Sequence, residues 1–156
     1  MTDHPAIGAP APDFSLPANG GRTLSLADFA GRKLVLYFYP KDDTSGCTKE
    51  AIAFTEAIDD FSAAGAAVVG VSKDPVKKHD RFIDKHGLKV DLVSDEEGDL
   101  CERYGVWVEK SMYGKKYMGI ERSTFLIGPD GTLQKEWRKV KVPGHVEAVL
   151  AAVKEA

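Results

Sequence analysis

The chain has little cysteine, little net charge and no long apolar run. Its 156 residues include 2 cysteines, too few for the disulfide scaffold of a small secreted protein. The formal net charge of −3 provides no basic surface for nucleic acid or an anionic membrane. No apolar stretch is long enough to cross a bilayer, and the first residues lack the segments of a secretory signal. We therefore expect a cytoplasmic protein with no nucleic-acid or membrane partner.

Signatures of bound cofactors are also missing. His4, His79, His86 and His145 do not combine with the cysteines at a zinc-binding spacing. No glycine-rich phosphate loop or dinucleotide fingerprint occurs, and the Cys-x-x-Cys pair of disulfide reductases is absent. His79 and His86 lie on a charged helix and are expected to be solvated. The sequence thus predicts a protein that needs no metal and no organic cofactor.

Apolar segments alternate with turn residues along the chain. Residues 34–39 form a continuous apolar run, typical of a strand covered on both faces, and helical periodicity follows over residues 46–63. Glycine-rich turns at residues 19–21 and 128–131 each predict a β-hairpin. This order predicts an α/β fold, with a mixed central sheet flanked by helices, in one domain over residues 1–156.

Cys47 stands where the first buried strand gives way to a helix. Apolar residues recur after it at helical spacing, including Ala51, Phe54 and Ile58, so Cys47 begins a core-packed helix. A thiol with the ordinary pKa of about 8.5 is only a few per cent ionised at neutral pH, and half ionisation needs about 2 kcal/mol. A helix N-terminus contributes about 0.3–1 kcal/mol. We therefore expect a nucleophilic cysteine in a shallow pocket, with Arg122 as the best candidate for an additional cation.

The segment around Cys47 resembles the active site of the peroxiredoxins. Pro40, Thr44 and Cys47 reproduce the family spacing of proline, threonine or serine, and peroxidatic cysteine. The longer string FYPKDDTSGCTKEA is similar to the PrxQ or bacterioferritin-comigratory-protein branch, although Ser45 stands where that branch often has proline. Arg122 begins a segment that resembles the arginine-bearing strand of the family. The resemblance covers nearly the whole chain and implies a thioredoxin-like fold with an N-terminal β-hairpin extension.

The resemblance implies a thiol-dependent peroxidase that reduces hydrogen peroxide and organic hydroperoxides without metal, haem or flavin. Cys47 would attack one peroxide oxygen, while Thr44, Arg122 and the backbone N–H groups of Gly46 and Cys47 stabilise the charge on the other. Pro40 would stiffen and shield the turn. The alternatives are that Thr44 is an N-cap and that Arg122 is a surface ion-pair partner.

Glu50, one helical turn after the cysteine, is a supporting candidate. Its carboxylate is expected to hold Arg122 in place. The alternative is that Glu50 is only a favourable acid in the first turn of a helix.

The second cysteine departs from the pattern of the branch. Many relatives carry it five residues after the first, where this chain has Ile52, and others carry it in the stretch that residues 82–84 occupy here. The remaining Cys101 shares an apolar helical face with its neighbours, which is typical of a buried structural cysteine. We therefore expect a one-cysteine mechanism, and the resemblance to the branch implies a monomer or weak dimer. In this mechanism an external thiol such as thioredoxin, glutaredoxin or glutathione reduces a sulfenic acid on Cys47.

Two alternatives to this mechanism stay open. Cys101 would be a resolving thiol within or between chains if its helix opened or a partner chain approached. The protein would instead be a redox sensor if oxidation of Cys47 signalled to a binding partner.

Overall fold

Strands alternate with helices along most of the chain and follow one another directly near its end. The computed structural model describes residues 5–156, so that His4 lies outside the described residues. The elements within that range are β1 (Ser15–Ala18), β2 (Arg22–Ser25), β3 (Lys33–Phe38), α1 (Ser45–Glu56), α2 (Ile58–Ala63), β4 (Ala66–Ser72), α3 (Val76–His86), β5 (Asp91–Ser94), α4 (Leu100–Arg103), β6 (Trp107–Met112), β7 (Lys115–Ile120), β8 (Ser123–Ile127), β9 (Leu133–Trp137) and α5 (His145–Glu155).

Seven strands form one mixed sheet in the order β2-β1-β5-β4-β3-β8-β9. The interior strand β3 runs parallel to β4 and antiparallel to β8. The predicted hairpins are present at both edges, with β1 paired to β2 around residues 19–21 and β8 paired to β9 around residues 128–131. The expected α/β class with a mixed central sheet is confirmed. None of the helices in the described range has the length and apolar character needed to cross a bilayer.

The alternation of side chains along β3 divides the interior into two cores. Leu34, Leu36 and Phe38 pack on one face of the sheet, whereas Val35 and Tyr37 pack on the other. Buried side chains of α1, α2, α3 and α5 cover the face of Val35 and Tyr37. Buried side chains of α4 and the N-terminal segment cover the opposite face. Both faces of the strand are therefore covered, as its continuous apolar sequence predicts.

The helix after Cys47 differs from its predicted form. The prediction of one helix over residues 46–63 was wrong, because the helix breaks at Ala57 and continues as α2. The N–H of Ala57 is shared between the carbonyls of Ala53 and Phe54, each at 3.2 Å, which is the tightened turn that often ends an α-helix. Phe54 and Phe61 still reach the same core on either side of the break.

Residues 106–121, which the sequence pattern leaves unassigned, form a separate two-stranded ribbon of β6 and β7. Tyr113 at its turn is fully exposed and Tyr117 is partly exposed, so these tyrosines contribute little to the core. The ribbon returns the chain to the sheet at Arg122, directly before β8. It therefore determines where this arginine enters the fold.

Candidate active site

The sheet register brings Arg122 beside Cys47. A loop of residues 39–44 leads from the end of β3 into α1, and Cys47 is the third residue of that helix. In the antiparallel pairing of β3 with β8, Phe38 lies opposite Ser123. Arg122, immediately before Ser123, therefore lies at the end of β3 from which the Cys47 loop departs.

The guanidinium of Arg122 joins Cys47 to Glu50. Its Nη2 lies 3.3 Å from the Cys47 Sγ, and its Nη1 donates a hydrogen bond of 2.6 Å to Glu50 Oε1. Glu50 is buried, and the Arg122 side chain is 16% exposed. A guanidinium that donates to the sulfur places a fixed positive charge beside any negative charge that develops there. The contact of Glu50 with Arg122 that the sequence suggests is therefore present, and Arg122 is not a surface residue.

Burial makes Glu50 a group that titrates near neutrality. Burial raises the pKa of Glu50 to about 7, although the charge of Arg122 and its hydrogen bond act in the opposite direction. The second oxygen, Oε2, is buried without a hydrogen-bond partner among the described residues, which adds to the cost of the ionised form. Burial also opposes the charge of Arg122, but Glu50 and Cys47 raise its pKa above the ordinary value. Arg122 therefore stays charged while Glu50 gains or loses a proton.

Thr44 occupies the N-cap position of α1, but its side chain makes no capping hydrogen bond. Instead its hydroxyl donates to the carbonyl oxygen of Lys41 at 2.8 Å. Because this bond uses the hydroxyl hydrogen, Thr44 does not donate to developing charge as the resemblance implies; its oxygen keeps lone pairs that can accept from an incoming O–H group. Pro40 lies half-buried in the loop between β3 and Thr44.

Gly46 allows the arginine to approach the first turn of α1. A Cβ atom at this position would lie 3.1 Å from Arg122 Nη2, closer than ordinary packing allows. The N–H groups of Gly46 and Cys47 belong to the first turn, where no carbonyl within the helix is available to them. The free amide donors of this turn and the guanidinium beside the sulfur can each stabilise negative charge.

The sulfur lies deeper than the sequence suggests. The prediction of a shallow pocket was wrong, because Cys47 is only 1% exposed. It belongs to the same buried cluster as Tyr37, Ala51 and Phe54, since the apolar stripe that it begins is pressed onto the sheet. Access to the sulfur is therefore narrow, and bulky reagents need the loop or the first turn of α1 to move.

Cys101 lies on the other side of the sheet. It is 0% exposed and packs in the core that contains Phe38, whereas Cys47 packs in the core that contains Tyr37. Burial raises the pKa of the Cys101 thiol well above its usual range, and Asp95 adds to this effect. With β3 between them, the two sulfurs cannot reach bonding distance without a rearrangement of the fold.

Sequence reasoning missed a buried polar cluster behind the loop. The expectation that His79 is solvated was wrong, because His79 is 0% exposed and lies 2.6 Å from Asp42. Tyr39 also donates to Asp42. A signal was available, because His79 stands three residues before the buried Phe82 and therefore shares the inward face of α3. His145, at the start of α5, is also buried and lies 2.8 Å from Thr124.

Comparison with known proteins identifies the family. The profile of the AhpC/TSA family matches residues 7–136. Peroxiredoxin Bcp of Xanthomonas campestris pv. campestris is 51% identical over 156 residues, covering 99% of this chain and 97% of the relative. Peroxiredoxin Bcp of Bacillus subtilis is 49% identical over 149 residues, covering 96% of this chain and 95% of the relative.

A solved structure supports the same assignment. It belongs to a study of the alkyl peroxide reduction activity of the bacterioferritin comigratory protein of Xanthomonas campestris. That protein is 50% identical, the match covers 91% of this chain and 90% of the other, and the TM-score is 0.87. The chain therefore belongs to the AhpC/TSA family, in the PrxQ or Bcp branch of the peroxiredoxins, which are thiol-dependent peroxidases with a thioredoxin-like fold.

Proposed function

We propose that Cys47 is the peroxidatic residue and that it reduces hydrogen peroxide and organic hydroperoxides. The supporting observation is the contact of 3.3 Å between Arg122 Nη2 and Cys47 Sγ at the start of α1. This is the environment that converts a thiol into a nucleophile. The alkyl peroxide reduction activity of the Xanthomonas campestris relative supports organic hydroperoxides as substrates.

In the first step the sulfur electron pair of Cys47 forms a bond to one peroxide oxygen as the O–O bond breaks. The other oxygen leaves as hydroxide or alkoxide and takes a proton from solvent, and Cys47 is left as a sulfenic acid. Arg122 and the N–H groups of Gly46 and Cys47 stabilise the charge that develops along the O–O axis. The Thr44 oxygen accepts the hydroperoxide O–H and so orients the substrate, while Pro40 limits the freedom of the loop.

We propose a one-cysteine mechanism for the return to the thiol. An external thiol attacks the sulfenic sulfur of Cys47 and releases water, and a second thiol then displaces Cys47 from the mixed disulfide. The separation of Cys47 and Cys101 by the sheet supports this route. Both cysteines are free thiols, which fits a cytoplasmic location with thioredoxin, glutaredoxin or glutathione as the reductant. We also propose a monomer or weak dimer.

Chemical trapping tests the assignment of the peroxidatic residue. The reduced protein is treated with one equivalent of peroxide in the presence of dimedone, which reacts with sulfenic acids, and its peptides are analysed by mass spectrometry. The adduct is expected on Cys47. An adduct that forms mainly on Cys101 would refute the assignment.

Turnover with each reductant tests the one-cysteine route. Cys101→Ser is expected to retain catalytic turnover with at least one of thioredoxin, glutaredoxin and glutathione. A disulfide between Cys47 and Cys101 as the main oxidised product would contradict the proposal. Slow peroxide consumption without thiol-limited turnover would instead favour the redox sensor.

A further inference from the structure

Three buried polar side chains connect the loop before Cys47 to helix α3. Asp42, in the loop, accepts a hydrogen bond of 2.5 Å from the Tyr39 hydroxyl at Oδ1. Its other oxygen, Oδ2, lies 2.6 Å from Nδ1 of His79. All three residues are almost fully buried. Buried polar groups are costly unless each has a partner, so an arrangement of this kind has a structural or functional reason.

The surroundings of His79 indicate where its protons lie. Its Nε2 is 2.9 Å from the carbonyl oxygen of Val93, which can only accept, so that Nε2 carries a hydrogen. Its Nδ1 faces Asp42, so a proton also lies between the ring and the carboxyl group. Each ring nitrogen thus faces an oxygen that can accept a hydrogen bond from it, and Asp42 accepts a second bond from Tyr39.

Asp42 and the neighbouring Asp43 make further contacts that hold the loop to α3 and to the turn that precedes α3. The N–H of Asp42 donates to Asp74 Oδ2 at 2.8 Å. Asp43, which has the left-handed φ of 62°, accepts from Lys85 at 2.8 Å and contacts His86 at 2.9 Å. The Asp43 contacts are exposed, and exposed ion pairs hold a conformation weakly. The buried pair of Asp42 and His79 is therefore the strongest restraint on the loop.

We propose that His79 is a positioning residue: as an imidazolium paired with Asp42, it fixes the loop that presents Thr44 and Cys47 to Arg122. The proposal rests on the proposed function of Cys47 only for its effect on the peroxide reaction. If the pair is broken, the loop loosens, the sulfur leaves its place beside the guanidinium, and solvent reaches it more readily. Reaction with peroxide and reaction with a bulky thiol reagent therefore change in opposite directions.

The charge of His79 can be measured in the unmodified protein. Long-range ¹H–¹⁵N NMR spectra of histidine-labelled protein near neutral pH are expected to show both ring nitrogens of His79 protonated. His145 is the internal control, because burial, with a contribution from Arg122, lowers its pKa to about 4 and leaves it neutral. A His79 ring with one unprotonated nitrogen would overturn the proposal.

The variant His79→Gln tests the positioning role. Its Cys47 is expected to react roughly tenfold more slowly with hydrogen peroxide and roughly tenfold faster with a bulky maleimide, followed on the Cys47 peptide by mass spectrometry. His86→Gln, on the same helix, is the matched control and is expected to change both rates by less than about twofold. Unchanged rates, or a parallel fall in both, would overturn the proposal.

The double variant Asp42→Asn/His79→Gln distinguishes the effect of an unpaired charge from the effect of an altered side-chain shape. It removes both charges and leaves no unpaired buried carboxylate. The rates of reaction of Cys47 with peroxide and with maleimide are therefore both expected to return most of the way to the wild-type values. No recovery would contradict the role of the ion pair. If Cys47 proves not to be the peroxidatic residue, the peroxide rate loses its meaning, but the NMR and maleimide results still decide the proposal.

Discussion

The two cysteines of this protein are equally buried and lie in opposite electrostatic environments. Cys47 lies in the first turn of α1 and receives a hydrogen bond from the Arg122 guanidinium, with an exposed fraction of 1%. Cys101, with an exposed fraction of 0%, lies near Asp95, and its thiol is held in the neutral form by burial and by that carboxylate. Burial therefore does not distinguish the proposed peroxidatic cysteine from Cys101. The sign of the nearest charge, and the donors fixed beside the sulfur, make the distinction.

The surroundings of Cys101 serve the fold. Asp95 accepts the N–H groups of Leu100 and Cys101, at 3.0 and 2.9 Å, and forms an ion pair with Lys73. Because this carboxylate binds the first amides of α4, the helix begins at Leu100. A negative charge that holds a helix end in this way also suppresses the thiolate of Cys101.

Exchange of each cysteine for serine is the strongest test of this contrast. Cys47→Ser is expected to lower the rate of peroxide consumption by about 10³-fold or more, because a serine hydroxyl is not ionised at neutral pH. Cys101→Ser is expected to stay within about twofold of the wild type. Stopped-flow measurement with excess dithiothreitol gives both rates. A comparable loss in Cys101→Ser would show that both sulfurs take part.

The pH dependence of stability tests the environment of Glu50 beside Cys47. The folded protein retains a proton on Glu50 that the unfolded chain releases between about pH 4.5 and 7, because burial raises the pKa of Glu50 from 4.5 to about 7. Stability therefore falls as the pH rises through this window, by roughly 3 kcal/mol. Glu50→Gln has no carboxyl group to titrate and lacks this loss. The free energy of unfolding of the variant, relative to that of the wild type, is therefore expected to rise as the pH rises through this window.

Urea unfolding at several pH values measures this difference. Glu56→Gln, an exposed position on the same helix, is the control and is expected to follow the wild-type pH dependence. Curves for Glu50→Gln and wild type that stay parallel from about pH 4 to 8 would show that Glu50 does not titrate in this window.

Arg122 tests whether the geometry of the cation matters as well as its charge. Arg122→Lys keeps the charge but loses the fork that joins Cys47 to Glu50, and the peroxide rate is expected to fall roughly 10- to 100-fold. Gly46→Ala keeps every charged group but pushes its Cβ against the guanidinium, with an expected loss of about threefold to tenfold. Arg81→Lys, at an exposed position, is the control for the charge exchange. Full activity of Arg122→Lys would mean that any nearby cation suffices.

Removal of the Cys101 sulfur has the smallest expected effect. Cys101→Ala leaves a small cavity under α4, so the free energy of unfolding is expected to fall by about 1–2 kcal/mol. The peroxide rate per folded molecule is expected to stay unchanged. Urea denaturation together with stopped-flow kinetics checks both values. A lower rate at unchanged stability would assign Cys101 a part in the reaction.

Much of the local structure could be predicted from neighbouring residues. The hairpins at residues 19–21 and 128–131 follow from turn glycines, and a helix that starts just before Cys47 follows from apolar periodicity. The break at Ala57 could not be predicted, because both halves of the helix carry a continuous apolar stripe. The burial of His79 was indicated by its spacing to Phe82, but its pairing with Asp42 could not be predicted because the two residues are 37 positions apart.

By itself the sequence determined which residues are available for chemistry: a proline, threonine and cysteine at the family spacing, placed at the start of a helix. The spacing and the helix start depend on residues within a few positions of Cys47 in the sequence. Interactions between such residues form in any fold that contains the segment. The tertiary structure alone decided the contact between Arg122 and Cys47 across 75 residues, and the placement of Cys101 on the opposite face of the sheet. Both depend on the order and register of β3 and β8, because strand pairing determines which distant residues share the end of a strand.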